Sequence, residues 1–477
     1  MMPQFLERNC KLYSPDMVIF KQYTSLVRAV LLLDLTAIHS GLWAALTLQT
    51  PSGILLPRLT HLGTMMKSQT STGTSPPELG LLLSTELYQI SIVIEVKHGR
   101  IGEDVVDFLK VLEQRAPNLR ELRLETDPAD NLSTVVDCLS EIFGALIRLR
   151  VVQLAIPDDL SPLLLATLLH LCQLDDLRMK FPPSGDQSSL FQELPPPFHG
   201  GYRSDTPMHN LELSAEARVL ARVLNWIGKV NVRSLTHVLD IPSTETDLSL
   251  LINSVSATST PSLDSLTISL NSEDSLIKSN YLPDVYQHTT STFRPLLTIS
   301  TLVTLKIRTF VAPLFTDAFL QEAAAAWPSL ERLEFCPHPI HVEQACQVRP
   351  QVTMPGLLAF VARCPKLSSL GILFDTSTAA QLDNSVAVTS EKTRHLAALD
   401  VGHSWVESDA APTIARVLAK YFPSLKRLSW HDVGEQYAWA GTDQCLHNDE
   451  DARRRCTDWK TVLHILPFHV EHVSIRD

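Results

Sequence analysis

Apolar positions along the chain fall into one recurrent phrase, Leu-x-x-Leu-x-(Leu/Ile/Phe), often with proline two residues before the first leucine. Clear copies are Pro117-Asn-Leu119-Arg-Glu-Leu122-Arg-Leu124 and Pro261-Ser-Leu263-Asp-Ser-Leu266-Thr-Ile268. Three more are Pro328-Ser-Leu330-Glu-Arg-Leu333-Glu-Phe335, Pro365-Lys-Leu367-Ser-Ser-Leu370-Gly-Ile372 and Pro423-Ser-Leu425-Lys-Arg-Leu428-Ser-Trp430. Looser copies start at Leu59, Leu87, Leu149, Leu174, Met208, Leu302, Leu396 and Val470, and another lies within Val232 to Leu239 with its register open. In each phrase the second and third apolar positions alternate and face one way on a short strand, while the first closes the turn into it.

Between the phrases the period changes to that of a helix. Glu103 to Arg115 places Val105, Val106, Leu109 and Leu112 on one face. Asp159 to Leu171, Ala215 to Trp226, Phe315 to Ala326, Met354 to Arg363 and Ala410 to Tyr421 read the same way. Ala-Pro, Trp-Pro, Cys-Pro and Phe-Pro stop four of these helices, because proline disfavours the helical region in the residue before it. One helix and one strand recurring about every 30 residues is the signature of a solenoid. The expected fold is therefore an α/β horseshoe, with a parallel sheet on the concave side and helices on the convex side. Residues 1–50 read as an N-terminal helical linker or cap, and 51–477 as the solenoid, with irregular insertions at about 181–207 and 431–456.

Composition agrees with this reading. The chain holds 76 leucines against only 17 glycines in 477 residues, which leaves little material for glycine-rich phosphate loops. A net charge of −12, with scattered basic residues, gives no global field for nucleic acid. Eight cysteines lie far apart without a C-x-x-C pair, so no disulfide framework is expected and a reducing compartment, cytoplasm or nucleus, follows. The most apolar stretch, Leu26 to Leu48, carries Arg28, Asp34 and His39 and suits a protein interior better than a membrane.

Few constellations carry chemistry. Val401-Gly402-His403-Ser404-Trp405 follows an expected strand and resembles the nucleophile elbow of α/β-hydrolases, which would make Ser404 the nucleophile of a serine hydrolase. Against it, the elbow needs a small residue where this chain has Val406, and His199-Gly200-Gly201, comparable to an oxyanion loop, belongs to a proline-rich insertion. Cys336, His338, His341 and Cys346 supply zinc-ligand types in a spacing that matches no known zinc module; Cys445, His447 and Cys456 are weaker still. No dinucleotide, Walker or H-E-x-x-H motif is present. The reading is non-enzymatic, without metal or cofactor. The residues that remain are those pointing away from the core on the strands: Glu121 and Arg123, Arg178 and Lys180, Lys306 and Arg308, Arg332 and Glu334, Arg427 and His431. Of these, Arg178 with Lys180 and Lys306 with Arg308 form basic pairs suited to acidic segments of a protein partner.

The repeat resembles the leucine-rich repeat, and its form with Pro-x-Leu-x-x-Leu-x-Leu after a longer helix is similar to the repeats of F-box proteins. Phe20-Lys-Gln-Tyr23-Thr-Ser-Leu26-Val27-Arg28, Leu42-Trp43-Ala-Ala-Leu46 and Leu55-Leu56-Pro57-Arg58-Leu59-Thr-His-Leu62 resemble the stretch that joins F-box and repeats in large fungal F-box families. That resemblance implies a protein-interaction scaffold that holds a target on the concave face, and a ubiquitin-ligase role through a Skp-type adaptor and a cullin wherever an F-box is present. The F-box phrase Leu-Pro-x-Glu-Leu is missing or unrecognisable here. Pro77-Glu78-Leu79-Gly80-Leu81-Leu82 echoes it faintly and is read as a repeat helix. Many leucine-rich repeats also carry Asn three residues after the third apolar position, for a buried hydrogen-bond ladder. Here that position holds Asp127, Pro182, His338 or Asp375, and Asn271 alone fits, so the turns are expected to be irregular and held by other bonds.

Overall fold

The x-Pro-x-Leu turn and the strand after it are built by main-chain hydrogen bonds that repeat from one copy to the next. In the computed structural model the residue before each proline closes its helix: the Ala116, Trp327, Cys364 and Phe422 amides donate to Leu112, Ala323, Phe360 and Leu418. The first leucine then donates back to that residue's carbonyl, Leu119 to Ala116 at 3.1 Å and Leu425 to Phe422 at 3.0 Å. This is a β-turn with proline at its second position, where a fixed φ suits it. Next, a single carbonyl accepts two amides from the following copy. Arg120 O takes Arg150 N at 2.8 Å and Val151 N at 3.0 Å, and Arg150 O takes Asp175 and Asp176 in the same way. Stacking is thus carried by the backbone, independent of side chains.

The structure describes residues 22–34, 54–68, 79–96, 103–127, 132–156, 162–181, 208–229, 231–271, 286–309, 311, 313–337, 349–383, 393, 395–402, 404, 406, 409–430, 450–466 and 471–472. The chain divides into two compact units, Met1–Ser214 and Ala215–Asp477.

The first unit stacks β1 (Ala29–Asp34), β2 (His61–Ser68), β3 (Gln89–Val96), β4 (Glu121–Thr126), β5 (Val151–Ala155), β6 (Asp176–Lys180) and β7 (Met208–Ala215), each parallel to the next. Leu62, Ile90, Leu122, Val152, Leu177 and Leu211 are in register and form one buried row; Ile92, Leu124, Leu154, Met179 and Leu213 belong to a second. Helices Glu103–Arg115, Leu132–Ala145 and Pro162–Leu169 pack their apolar faces over these rows. Apolar burial on this scale, about 25 cal/mol per Å², is the main stabilising term.

In the second unit β8 (Val232–Leu239), β9 (Ser265–Leu270), β10 (Thr304–Thr309), β11 (Arg332–Pro337), β12 (Ser369–Ile372), β13 (Ala398–Asp400), β14 (Arg427–Ser429) and β15 (Glu471–His472) follow the same parallel order. Leu235, Leu266, Leu305, Leu333, Leu370 and Leu399 form its first buried row, continued by Leu428. Its second row runs His237, Ile268, Ile307, Phe335 and Ile372. The imidazole at its head is fully buried with no hydrogen bond at either ring nitrogen, and burial pushes its pKa down to about 3. Both units are therefore α/β solenoids of leucine-rich-repeat type.

Where the asparagine ladder is missing, threonines and carboxylates link neighbouring helices of the second unit at their N-termini. Asp317 accepts the Thr353 amide at 2.8 Å and its hydroxyl at 2.6 Å, while Thr353 Oγ1 accepts the Gly356 amide and caps the helix Met354–Arg363. Glu245 likewise accepts the Thr289 amide and the Thr289 and Thr292 hydroxyls, and these bonds hold its carboxyl below the usual range. Of the expected ladder positions, Asp127 accepts the Val96 amide at 3.3 Å, Asp375 binds Arg349 and Ser377, and the Asn271 amide donates to Leu239. Pro182 and His338 lie outside the described residues.

Several elements differ from the sequence reading. Within 1–50, Ala29–Asp34 forms a strand, β1, rather than a helix, because it pairs parallel to β2, with a shift of register between Val30 and Leu33. Of the helix expected over Asp159 to Leu171, Pro162–Leu169 is helical, and 157–161 lie outside the described residues. The helix Glu450–Ile465 takes up the end of the second expected insertion. Residues 182–207 and 431–449 lie outside the described residues.

Candidate binding face

Residues that alternate with the buried rows face away from the helices. In the first unit Glu121 and Arg123 on β4 pair with one another at 2.6 Å, and Gln89 donates to the same carboxylate at 3.2 Å. Arg178 on β6 lies between Asp176 at 3.1 Å and Glu212 of β7 at 3.7 Å, and Asn210 also donates to Asp176. The two arginines are thereby neutralised within the sheet. Lys180 is exposed beside them, without a carboxylate partner among the described residues.

A denser group occupies the second unit. Glu334 on β11 receives both Lys306, at 3.5 Å, and Arg308 from β10, so the expected basic pair is internally compensated. Beyond it lies Gly371, buried, where an added Cβ would stand 3.1 Å from Glu334 Cγ and 3.3 Å from Cys336 Sγ. A larger residue there would crowd the Glu334 and Cys336 side chains, which would have to give by a few tenths of an ångström. Across it the Cys336 thiol approaches Asp400 Oδ2 at 3.8 Å, and Asp400 Oδ1 accepts the Gly402 amide at 2.9 Å. Burial pushes the Asp400 carboxyl up to about 7 against the pull of the Gly402 amide, and nearby Glu334 adds to the rise. Burial, with Asp400 and Glu334 beside it, also raises the Cys336 thiol, so it stays protonated and unreactive.

Along the first outward row the register places Arg332, Ser369, Ala398 and Arg427 on four successive strands. Strands about 4.8 Å apart set the two arginines about 14 Å apart across a floor of small side chains. Both residues are exposed, and among the described side chains neither has a carboxylate partner; the register continues from Arg427 to Glu471 on β15. His431 lies outside the described residues. Sequence reading missed Asp400 and Gly371; a glycine within the strand phrase Leu370-Gly371-Ile372 was the available signal.

The alternative chemistries fare differently. Ser404 is fully buried, its hydroxyl accepts the Phe374 amide at 3.0 Å, and its carbonyl accepts the Trp459 indole at 3.0 Å. It ties three segments together and offers no nucleophile to solvent. His403 lies outside the described residues, as do His199, His338, His341, Cys346, Cys445 and His447. Among the described residues no three His, Cys, Asp or Glu side chains are grouped to hold a metal ion. No described helix is long and apolar enough to cross a membrane.

No protein-family model matches the chain, and no curated protein matches it. Among solved structures, a protein from Bacteroides fragilis aligns at 15% identity over 72% of this chain and 75% of that one, with a TM-score of 0.29. A chain of the Rad7 and Elc1 complex of yeast aligns at 14% identity over 87% of this chain and 86% of that one, with a TM-score of 0.30. Neither likeness is close enough to carry a function.

Proposed function

We propose that the chain is a non-enzymatic recognition module of the cytoplasm or nucleus that holds a protein target against the outward sheet face of its second unit. The observation that supports this reading is the pair Arg332 and Arg427, exposed and without carboxylate partners among the described side chains, on either side of the small residues Ser369 and Ala398. Arginine forks without an internal acceptor are suited to carboxylates of a partner. The small residues between them leave room for its backbone. The resemblance of the repeat phrase and of the 20–62 stretch to F-box proteins favours a target bound for ubiquitin ligation, with the ligase role conditional on an F-box.

Site-specific photo-crosslinking tests the face. A benzophenone residue at Ser369 or Ala398 is expected to capture a discrete protein partner in cells, whereas the same group at exposed Lys110 on the helix side captures none. Arg332→Glu with Arg427→Glu should abolish the adduct in folded protein; equal capture from both sides overturns the reading. Co-purification with a Skp-type adaptor tests the ligase role separately, and its failure leaves only the scaffold.

A further inference from the structure

The ends of the strands in the first unit present a second surface. The residue whose carbonyl carries each stacking bond lies just before its strand, at one end of the sheet: Arg28, Thr60, Tyr88, Arg120 and Arg150 in five successive copies, followed by Asp175 in the sixth. Two residues earlier, in the same turns, stand Arg58 and Arg148. The backbone does not require arginine here. The second unit makes the same paired bonds with Asp264, Val303, Glu331, Ser368 and Ala397 at that position.

These cations are not used to hold the fold. Arg28 donates to the Arg58 carbonyl at 3.3 Å, Arg148 donates to Asn118 at 2.6 Å, and the Arg120 guanidinium lies 5.3 Å from the Tyr88 ring centroid. Arg150 meets Asp175 only at 3.8 Å, with both side chains more than half exposed. Among the described residues none of Arg28, Arg58, Arg120 and Arg148 has a carboxylate partner. Among them Tyr88 is 41% exposed and Ile147 61% exposed. Five arginines, with Glu86 and Asp175 as the nearby acids, make this margin strongly positive in a chain of net charge −12.

We propose that this margin is a docking surface for an acidic, Asp- and Glu-bearing segment of a partner protein that also carries an apolar side chain. Guanidinium forks bind carboxylates in pairs. Tyrosine with arginine is the composition of protein hot spots, and Tyr88 and Ile147 supply the apolar anchor. The five copies from Arg28 to Arg150 span about 19 Å, the length of about six residues of extended chain.

The test is fluorescence anisotropy of a dye-labelled Glu/Asp heptapeptide with a central leucine, titrated with the full chain at low ionic strength. Binding is expected to fall steeply with added salt and to weaken by about tenfold or more in Arg120→Glu with Arg150→Glu. Arg332→Glu with Arg427→Glu should weaken it clearly less than the margin pair does, and the photo-crosslink at Ser369 or Ala398 should survive the margin variants, so this proposal and the sheet-face reading fail separately. Should the reversal pair misfold by circular dichroism, Arg58→Gln with Arg148→Gln gives the same reading with neutral side chains. Absence of binding by the unmodified chain, equal binding by the folded variants, or stronger competition from a single-stranded oligonucleotide of matching length overturns it.

Discussion

Gly356 makes room for the carboxylate of Asp317: a Cβ at residue 356 would overlap both carboxylate oxygens. The acid reaches over the next helix's first turn to bind Thr353, and the glycine lets it approach the backbone. Gly356→Ala is expected to destabilise the protein by about 1–3 kcal/mol through overpacking, and Asp317→Ala by a similar amount through lost hydrogen bonds. Because the alanine clash needs the carboxylate, the double variant should cost clearly less than the sum of the two. Denaturant unfolding of all four proteins measures that coupling; additivity would show that the two residues act independently.

Stability should fall on the acid side of neutrality because of His237. Its folded pKa of about 3 lies below the unfolded value of about 6.5, so the unfolded chain binds the extra proton. The stability it permits is complete above the unfolded pKa and is lost as pH falls from there toward the folded one. At pH 5 the loss amounts to about 2 kcal/mol. His288, also buried and lowered to about 4, adds in the same direction. In His237→Met the slope of unfolding free energy between pH 7 and pH 5 should flatten; an unchanged slope would assign the acid sensitivity elsewhere.

Asp400 acts with the opposite sign. Its folded pKa of about 7 lies above the ordinary carboxyl value of about 3.9, so the folded chain holds the extra proton. That contribution is fully present below the unfolded pKa and is lost as pH rises through the folded one. Asp400→Asn keeps an acceptor for the Gly402 amide and removes the ionisation. The melting temperature should rise more at pH 8 than at pH 5, as read by differential scanning calorimetry. A gain equal at both values would mean the carboxylate is already ionised throughout.

Ser404→Ala removes the acceptor of the buried Phe374 amide, and a cost of about 1–3 kcal/mol is expected. A serine-reactive phosphonate should leave Ser404 unlabelled in folded protein, and mass-spectrometric detection of an adduct there would reopen the hydrolase reading.

The strands and turns were legible because leucine and proline repeat the same local physics in every copy. An apolar pair aims inward, and a proline closes the turn before it. β1 was not, because Ala29–Asp34 is a short apolar run without the proline turn, and only its pairing with β2 decides its state. The outward residues could be named from alternation alone, yet their electrostatics could not. Arg178 and Arg308 look free in the sequence, but Glu212 and Glu334 on the adjoining strands neutralise them. Asp400 escaped notice because its environment comes from Cys336 and Glu334, more than sixty residues earlier in the chain.

The paired amides on each carbonyl act where the chain enters a strand, and the spacing of the elements reflects it. From the helix ends at Arg115, Ala145, Leu169, Thr258, Ala326, Arg363 and Tyr421, five or six residues lead into the next strand. After a strand the distance to the next helix ranges from one residue past Ala215 to twenty past Ser429. Length is therefore constrained on one side of these seven copies and free on the other, whereas fourteen residues separate Asp383 from Ala398. New sequence can be spliced in behind a strand while the register of the stack is preserved, whereas one residue added between Ala116 and Leu119 would shift it. The scaffold can diversify its loops by insertion at a single margin and keep its core unaltered.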